Sequence, residues 1–266
     1  MDITTHHPII LALIGTGFTF LFTVLGSGMV FFFQKSVSNR IHRFMMGFAA
    51  GVMVAASIFS LLLPAMDMAK EQNIATWIPV VGGFAIGAVF LWLLDTFLPH
   101  WHVGSSGPEG ITTQWHRSVM LFLAITLHNI PEGMAVGMMF GLSGVENGLA
   151  LPAAVSLALG IGLQNLPEGA AVSLPLKQEG VSSKKAFMFG TLSGIVEPVA
   201  GVLAVVIAGT MYSILPWMLC FAAGAMIYVV SEELIPAANE GYHSNVGTIG
   251  VIIGFIVMMF LDIVLS

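Results

Sequence analysis

Long uninterrupted apolar runs dominate this chain, separated by short polar punctuation. A helix needs about 20 apolar residues to cross a hydrocarbon core. Eight segments meet that measure, at 9–33, 41–64, 77–98, 119–142, 149–174, 186–208, 211–235 and 246–265. The pattern predicts one all-α transmembrane unit of eight helices over residues 1–266. Most connections are short. The exception, 99–118, holds His100, His102, Gly104, Gly107, Pro108, Glu109, Gly110 and His116 and is too polar and glycine-rich to span. Small residues recur four apart within the runs, at Gly83 and Gly87, at Gly133, Gly137 and Gly141, at Gly190 and Gly194, and at Gly250 and Gly254. That spacing lets helix backbones approach closely in lipid.

Charge gives the runs an orientation. Lys35, Arg40 and Arg43 follow the first span, Arg117 precedes the fourth, and Lys177, Lys184 and Lys185 separate the fifth and sixth; Lys70 alone lies on the other side. Cytoplasmic loops retain Lys and Arg, so the expectation is both termini outside and 99–118 in the cytoplasm, as for a protein of a bacterial inner membrane. Residues 1–8 lack the basic start and the cleavage site of a secretory signal, and the first run is expected to persist as an anchor.

Composition strengthens the membrane reading. Of 266 residues, 57% are hydrophobic and 8% charged, against about a quarter charged in soluble domains. A net charge of −6 without a basic, aromatic-rich patch excludes a nucleic-acid partner. Cys220, the single cysteine, excludes an intramolecular disulfide framework and reads as a small core residue.

Against this background, ionisable residues at membrane depth carry the chemistry, since each costs about 2.5–3.5 kcal/mol at a helix centre. Span four contains His128-Asn129-Ile130-Pro131-Glu132-Gly133 and span five Gln164-Asn165-Leu166-Pro167-Glu168-Gly169, an internal repeat. Four-residue spacing sets His128 and Glu132 on one helical face, and likewise Gln164 and Glu168, with Asn129 and Asn165 three residues before the same glutamates. Pro131 and Pro167 free the carbonyls of Leu127 and Leu163, and a carboxylate beside a kink suits an ion site at the midplane. Span six adds Glu197-Pro198.

If spans four, five and six face one another, the carboxylates supply three negative charges. One divalent ion with a proton, or two bridged ions, both approach the neutrality that low dielectric favours. Imidazole with carboxylates and amides suits Zn2+, with iron, manganese and cadmium tolerated; the lack of a thiolate there argues against monovalent copper. Helical Glu and His could also build a hydrolytic zinc enzyme, but H-E-x-x-H is lacking. The expected role is transport, without an organic cofactor.

HNIPEG and QNLPEG resemble the paired signatures of the ZIP family of metal transporters. DTFLPHWH and GPEG near 95–110, with SEELIPAANEGYH at 231–243, resemble its bacterial GufA-like branch. The resemblance implies inverted repeats and a binuclear site between helices four, five and six. His128, Glu132, Gln164 and Glu168 would hold the first metal, and Asn129, Glu132, Asn165, Glu168 and Glu197 the second. It further implies transport toward the cytoplasm by alternating access, spans one, four, five and six moving against the others, and a homodimer through the latter.

Outside this set, Asp95, His100 and His102 near the inner end of span three, and Glu232, Glu233 and His243 near that of span seven, read either as an exit or regulatory metal site or as interfacial polar residues. His6 and His7 precede span one, and Asp67 and Glu71 mark an outer loop: a metal-gathering entrance or solvated turns.

Overall fold

The computed structural model describes residues 7–32, 38–97, 117–143, 151–210, 212–241 and 244–265, and the elements among them are helical. Helix α1 (Pro8–Gly28) opens on a proline, whose missing N–H costs nothing in a first turn. The His7 ring accepts a hydrogen bond from the Ile9 amide there. Helix α2 (Asn39–Ala55) is capped by the Ser38 hydroxyl. It runs through a π-helical turn, Ala56–Leu62, into α3 (Leu63–Glu71). Pro64 cannot donate to the α-helical ladder, and the widened turn before it absorbs the mismatch. After α4 (Trp77–Phe97), α5 (Arg117–Leu142) and α6 (Leu151–Gln178) come next, the latter two of 26 and 28 residues.

The single span expected at 186–208 is two helices, α7 (Ser183–Gly194) and α8 (Val196–Thr210), interrupted at Ile195 just before Glu197-Pro198. Helix α9 (Leu215–Val229) repeats the device of α2, passing through a π-helical turn, Val230–Leu234, into α10 (Ile235–Asn239), which opens on Ile235-Pro236. Helix α11 (Val246–Leu265) closes the chain. Element ends differ from the expected ones by about a turn, except that the second span, expected to end at Pro64, runs on to Glu71.

Among the described residues six stretches are long and apolar enough to cross a membrane: Pro8–Phe31, Asn39–Glu71, Trp77–Phe97, Ser183–Gly209, Leu215–Asn239 and Val246–Leu265. The protein is an integral membrane protein. Helices α5 and α6 exceed the length a crossing needs and are the ones that carry the Asn, Gln, His and Glu of the repeated motif.

The most extensive helix pairings are α2 with α11, α1 with α6, α4 with α9 and α5 with α8. They define two sets, α1, α5, α6, α7 and α8 in one and α2, α3, α4, α9, α10 and α11 in the other. One exchange relates them. Swapping α1 for α7–α8, α2–α3 for α9–α10, α4 for α11 and α5 for α6 turns the α1/α6 pair into α8/α5 and the α2/α11 pair into α9/α4. Close approach in the second set rests on glycine from both sides: a Cβ on Gly47 or Gly51 would overlap α11 backbone oxygens, and one on Gly254 that of Phe48 in α2. Between the sets, α2 and α11 touch α6, and α5 touches α9. Fully buried Met53, Leu157, Ile161 and Met258 lie in the core that joins them.

Candidate metal centre

Helix α5 presents His128, Asn129 and Glu132, α6 presents Gln164, Asn165 and Glu168, and α8 presents Glu197, and all seven side chains are buried. On α5 and α6 the residue after the Pro-Glu pair is glycine, and each glycine admits a neighbouring helix. A Cβ on Gly133 would stand 2.5 Å from the Cα of Glu197, so only glycine lets α8 bring that carboxylate to α5. Gly169 on α6 likewise admits α1, which approaches through Thr23 and Ser27.

Amides stand between the carboxylates. Gln164 Nε2 donates to Glu132 Oε1 at 2.8 Å and to Glu168 Oε1 at 3.5 Å, bridging the two central glutamates. Asn165 Nδ2 lies 3.0 Å from both Glu197 oxygens and 3.3 Å from the Thr19 carbonyl. Thr19 Oγ1 donates to Glu197 Oε2 at 2.6 Å and Thr23 Oγ1 to Glu197 Oε1 at 3.2 Å. The Asn129 amide turns away to the Ser193 carbonyl of α7, at 2.9 Å. His128 Nδ1 lies 2.5 Å from Glu233 Oε2, a buried carboxylate delivered by the π-helical turn after α9.

The chemical capacity of this arrangement lies in its unmet oxygens. Glu132 Oε2, Glu168 Oε2, Gln164 Oε1, Asn165 Oδ1 and Asn129 Oδ1 are buried without a hydrogen-bond donor. Each such acceptor costs about 1–3 kcal/mol of lost solvation, and a cation answers several at once. Among the described residues no three His, Cys, Asp or Glu side chains are already grouped at metal-holding spacing. Rotation of Gln164 and Asn165, exchanging an N–H donor for an amide oxygen, is what would let carboxylates and amides share an ion. A cavity of about 20 Å³ touches the centre, lined by residues that include His128, Glu168, Val229 and Glu233. It has room for about one water-sized body.

The secondary candidates separate. Glu233, read from the sequence as an inner-end residue, reaches the centre itself. Asp95 instead accepts from Tyr228 Oη at 2.9 Å where α4 crosses α9. His100, His102, His243 and His6 lie outside the described residues. Glu232 is exposed, and Asp67 pairs with Lys70 at 2.8 Å on the surface. The first span was expected, but not its hydroxyls at the centre, although Thr16, Thr19, Thr23 and Ser27 recur three or four apart along one face of it.

The family model of the ZIP zinc transporters matches residues 102–262, which include the whole repeated motif and Glu197. The chain belongs to the ZIP family. Among its relatives, the zinc transporter ZIP11 of Bos taurus is 37% identical, over 97% of this chain and 98% of the relative. The zinc transporter ZIPB of Bordetella bronchiseptica is 38% identical over 96% and 81%, and the zinc transporter GufA of Myxococcus xanthus 38% over 78% and 81%. Similarity to GufA agrees with the branch indicated by the GPEG and SEELIPAANEGYH segments. As a ZIP protein the chain is a metal transporter, and the buried polar constellation is the part of it suited to hold the cargo.

Proposed function

We propose that the protein carries Zn2+ across a bacterial inner membrane toward the cytoplasm, through an intramembrane site that takes two ions between α5, α6 and α8. The observation that carries this reading is the convergence of Glu132, Glu168 and Glu197, three buried carboxylates on three helices, two of them with an oxygen unpaired. Buried charge of that kind persists where a cation neutralises it. His128, Glu132, Gln164 and Glu168 hold the first ion, and Asn129, Glu132, Asn165, Glu168 and Glu197 the second. Zinc is favoured by the names of the relatives and by the imidazole–carboxylate set; cadmium, iron and manganese fit the oxygen-rich remainder.

Eight crossings with both termini outside, α5 and α6 included, accord with every basic residue but Lys70 lying on one side. The pairing exchange in the fold supports an inverted repeat. Alternating access is the corresponding motion: the set bearing the centre moves against the other, and the cavity at His128 and Glu233, on the α9 side where the basic loops lie, is the inward route. Asp95, His100, His102, Glu233 and His243 serve that route or its regulation. The second set is the surface for a homodimer in the bilayer. The chain acts as a carrier, and no catalytic step is assigned to it.

Zinc uptake into proteoliposomes tests the site. Glu132→Ala and Glu168→Ala are expected to abolish uptake while the protein stays folded, and undiminished uptake in either refutes the assignment. A carrier also saturates at low zinc and yields to competing cadmium; flux rising linearly with concentration would mean a pore.

A further inference from the structure

Helix α1 supplies none of the seven residues of the centre, yet two of its side chains end on Glu197. The hydroxyls of Thr19 and Thr23, both buried, donate to opposite oxygens of that carboxylate at 2.6 and 3.2 Å. Asn165 Nδ2 occupies a second position on each oxygen. A carboxylate offers about four lone-pair sites, so two hydroxyls and one shared amide fill them all. The glutamates of α5 and α6 differ, each keeping an oxygen without a donor. Glu197 is therefore already fixed in place, and a metal can reach it only by displacing one of its donors.

The donors are unequal in their freedom to leave. Thr19 and Thr23 lie on a packed helix that leaves threonine two χ1 wells. In its present one the Thr19 hydroxyl is nearer to Glu197, at 2.6 Å, than to the Thr16 carbonyl, at 3.0 Å, and α1 is held against α6 where Gly169 meets the Thr23 carbonyl. The Asn165 amide needs only to turn about its last torsion to withdraw its N–H and present Oδ1, which has no donor in this arrangement. The internal repeat gives the pair a place in the fold. Gly133 and Gly169 occupy equivalent positions after Pro-Glu, and the backbones they meet are those of Glu197 and Thr23. Thr23 is thus the counterpart in α1 of Glu197 in α8: one half of the repeat supplies the acid and the other the hydroxyl that grips it.

We propose that Thr19 and Thr23 are positioning residues that hold Glu197 for the second metal, with Asn165 as the donor that yields to the ion. This rests on the reading of Glu197 as a ligand of that metal. Loss of such outer partners costs about 10–100-fold in metal affinity.

The test counts Cd2+ bound to the purified full-length protein by calorimetry. The parent is expected to bind two equivalents. Thr19→Val with Thr23→Val should leave the first affinity within about twofold and weaken the second at least about tenfold. Thr19→Ser with Thr23→Ser, which keeps both donors, should restore it. Thr19→Val alone, retaining Thr23, gives an intermediate loss and guards against misfolding of the double variant. An unchanged second affinity in the valine variants overturns the proposal, as does a parallel loss of both affinities with a lowered thermal midpoint. Glu197→Gln separates the two readings. If it too spares the second equivalent, or if the parent binds one ion only, the second position itself fails; if it removes that equivalent while the valine variants do not, only the clamp fails.

Discussion

Gly133→Ala probes the junction on which the centre depends. The new Cβ would lie 2.5 Å from the Cα of Glu197 and 2.8 Å from its carbonyl carbon, whereas non-bonded carbons rest at about 3.5–4.0 Å. Both obstacles are backbone, so no rotamer change relieves them and α8 must withdraw by about 1 Å. A shift of that size is large against the narrow range of hydrogen-bond lengths, so it would disturb the Thr19–Glu197 bond of 2.6 Å and the Asn165–Glu197 bonds of 3.0 Å. Metal–ligand distances tolerate about 0.2 Å, so Glu197 would also leave the coordination sphere. Overpacking should lower stability by about 1–3 kcal/mol, and loss of the carboxylate should lower zinc uptake by at least about tenfold. The assay is uptake by proteoliposomes matched for protein content, with the thermal midpoint measured alongside. Gly209→Ala, on α8, is the control: a Cβ there meets nothing within 4 Å, and uptake should stay within about twofold of the parent. Parental uptake and midpoint in Gly133→Ala would refute the claim that this contact positions the third carboxylate.

Other outcomes turn on single contacts. Asn165→Asp replaces the amide that serves both Glu197 oxygens with a charge and should tighten binding of the second Cd2+, since ligand charge raises cation affinity; calorimetry finding no change would remove Asn165 from the ligand set. Ser60→Ala deletes the 2.9 Å hydroxyl bond to the buried carboxylate of Asp262 and should cost about 1–3 kcal/mol of stability, visible as a lower thermal midpoint; an unchanged midpoint would mean the carboxylate is satisfied in another way. Cys220 is fully buried and should resist a membrane-permeant maleimide until the protein is denatured. Rapid labelling would indicate that α9 opens away from the core.

The sequence was informative where one residue type has one explanation. Long apolar runs have no soluble alternative, and the repeated Asn-x-Pro-Glu-Gly could be placed on neighbouring helices because glutamate at membrane depth needs a reason. Other features depend on contacts between distant parts of the chain. Threonine in a membrane helix ordinarily bonds its own preceding turn, as Thr16 does with the Ala12 carbonyl, so nothing local marks Thr19 and Thr23 as reaching α8. Glu233 was legible as an acid near a helix end, but its approach to His128 depends on the π-helical turn at Val230–Leu234. The extra residue in that turn rotates the helix beyond it, and helical periodicity in the sequence does not reveal it. Pro198 marked a disturbance in the sixth span without locating the interruption at Ile195, whereas Pro131 and Pro167 lie inside helices that run on past them, α5 and α6.

The division of the helices into two sets has a mechanical corollary. The bonds around Glu132, Glu168 and Glu197 are made within one set, and those of Ser60 with Asp262 and Asp95 with Tyr228 within the other. Set beside these, the contact of His128 with Glu233 crosses from one to the other. The rest of the joint is apolar, packed from Met53, Leu157, Ile161 and Met258, side chains that make no directional bond across it. If the sets move against each other as proposed, a polar latch across that joint would act as a detent, marking where the moving half comes to rest and giving way when an ion draws the His128 imidazole to itself.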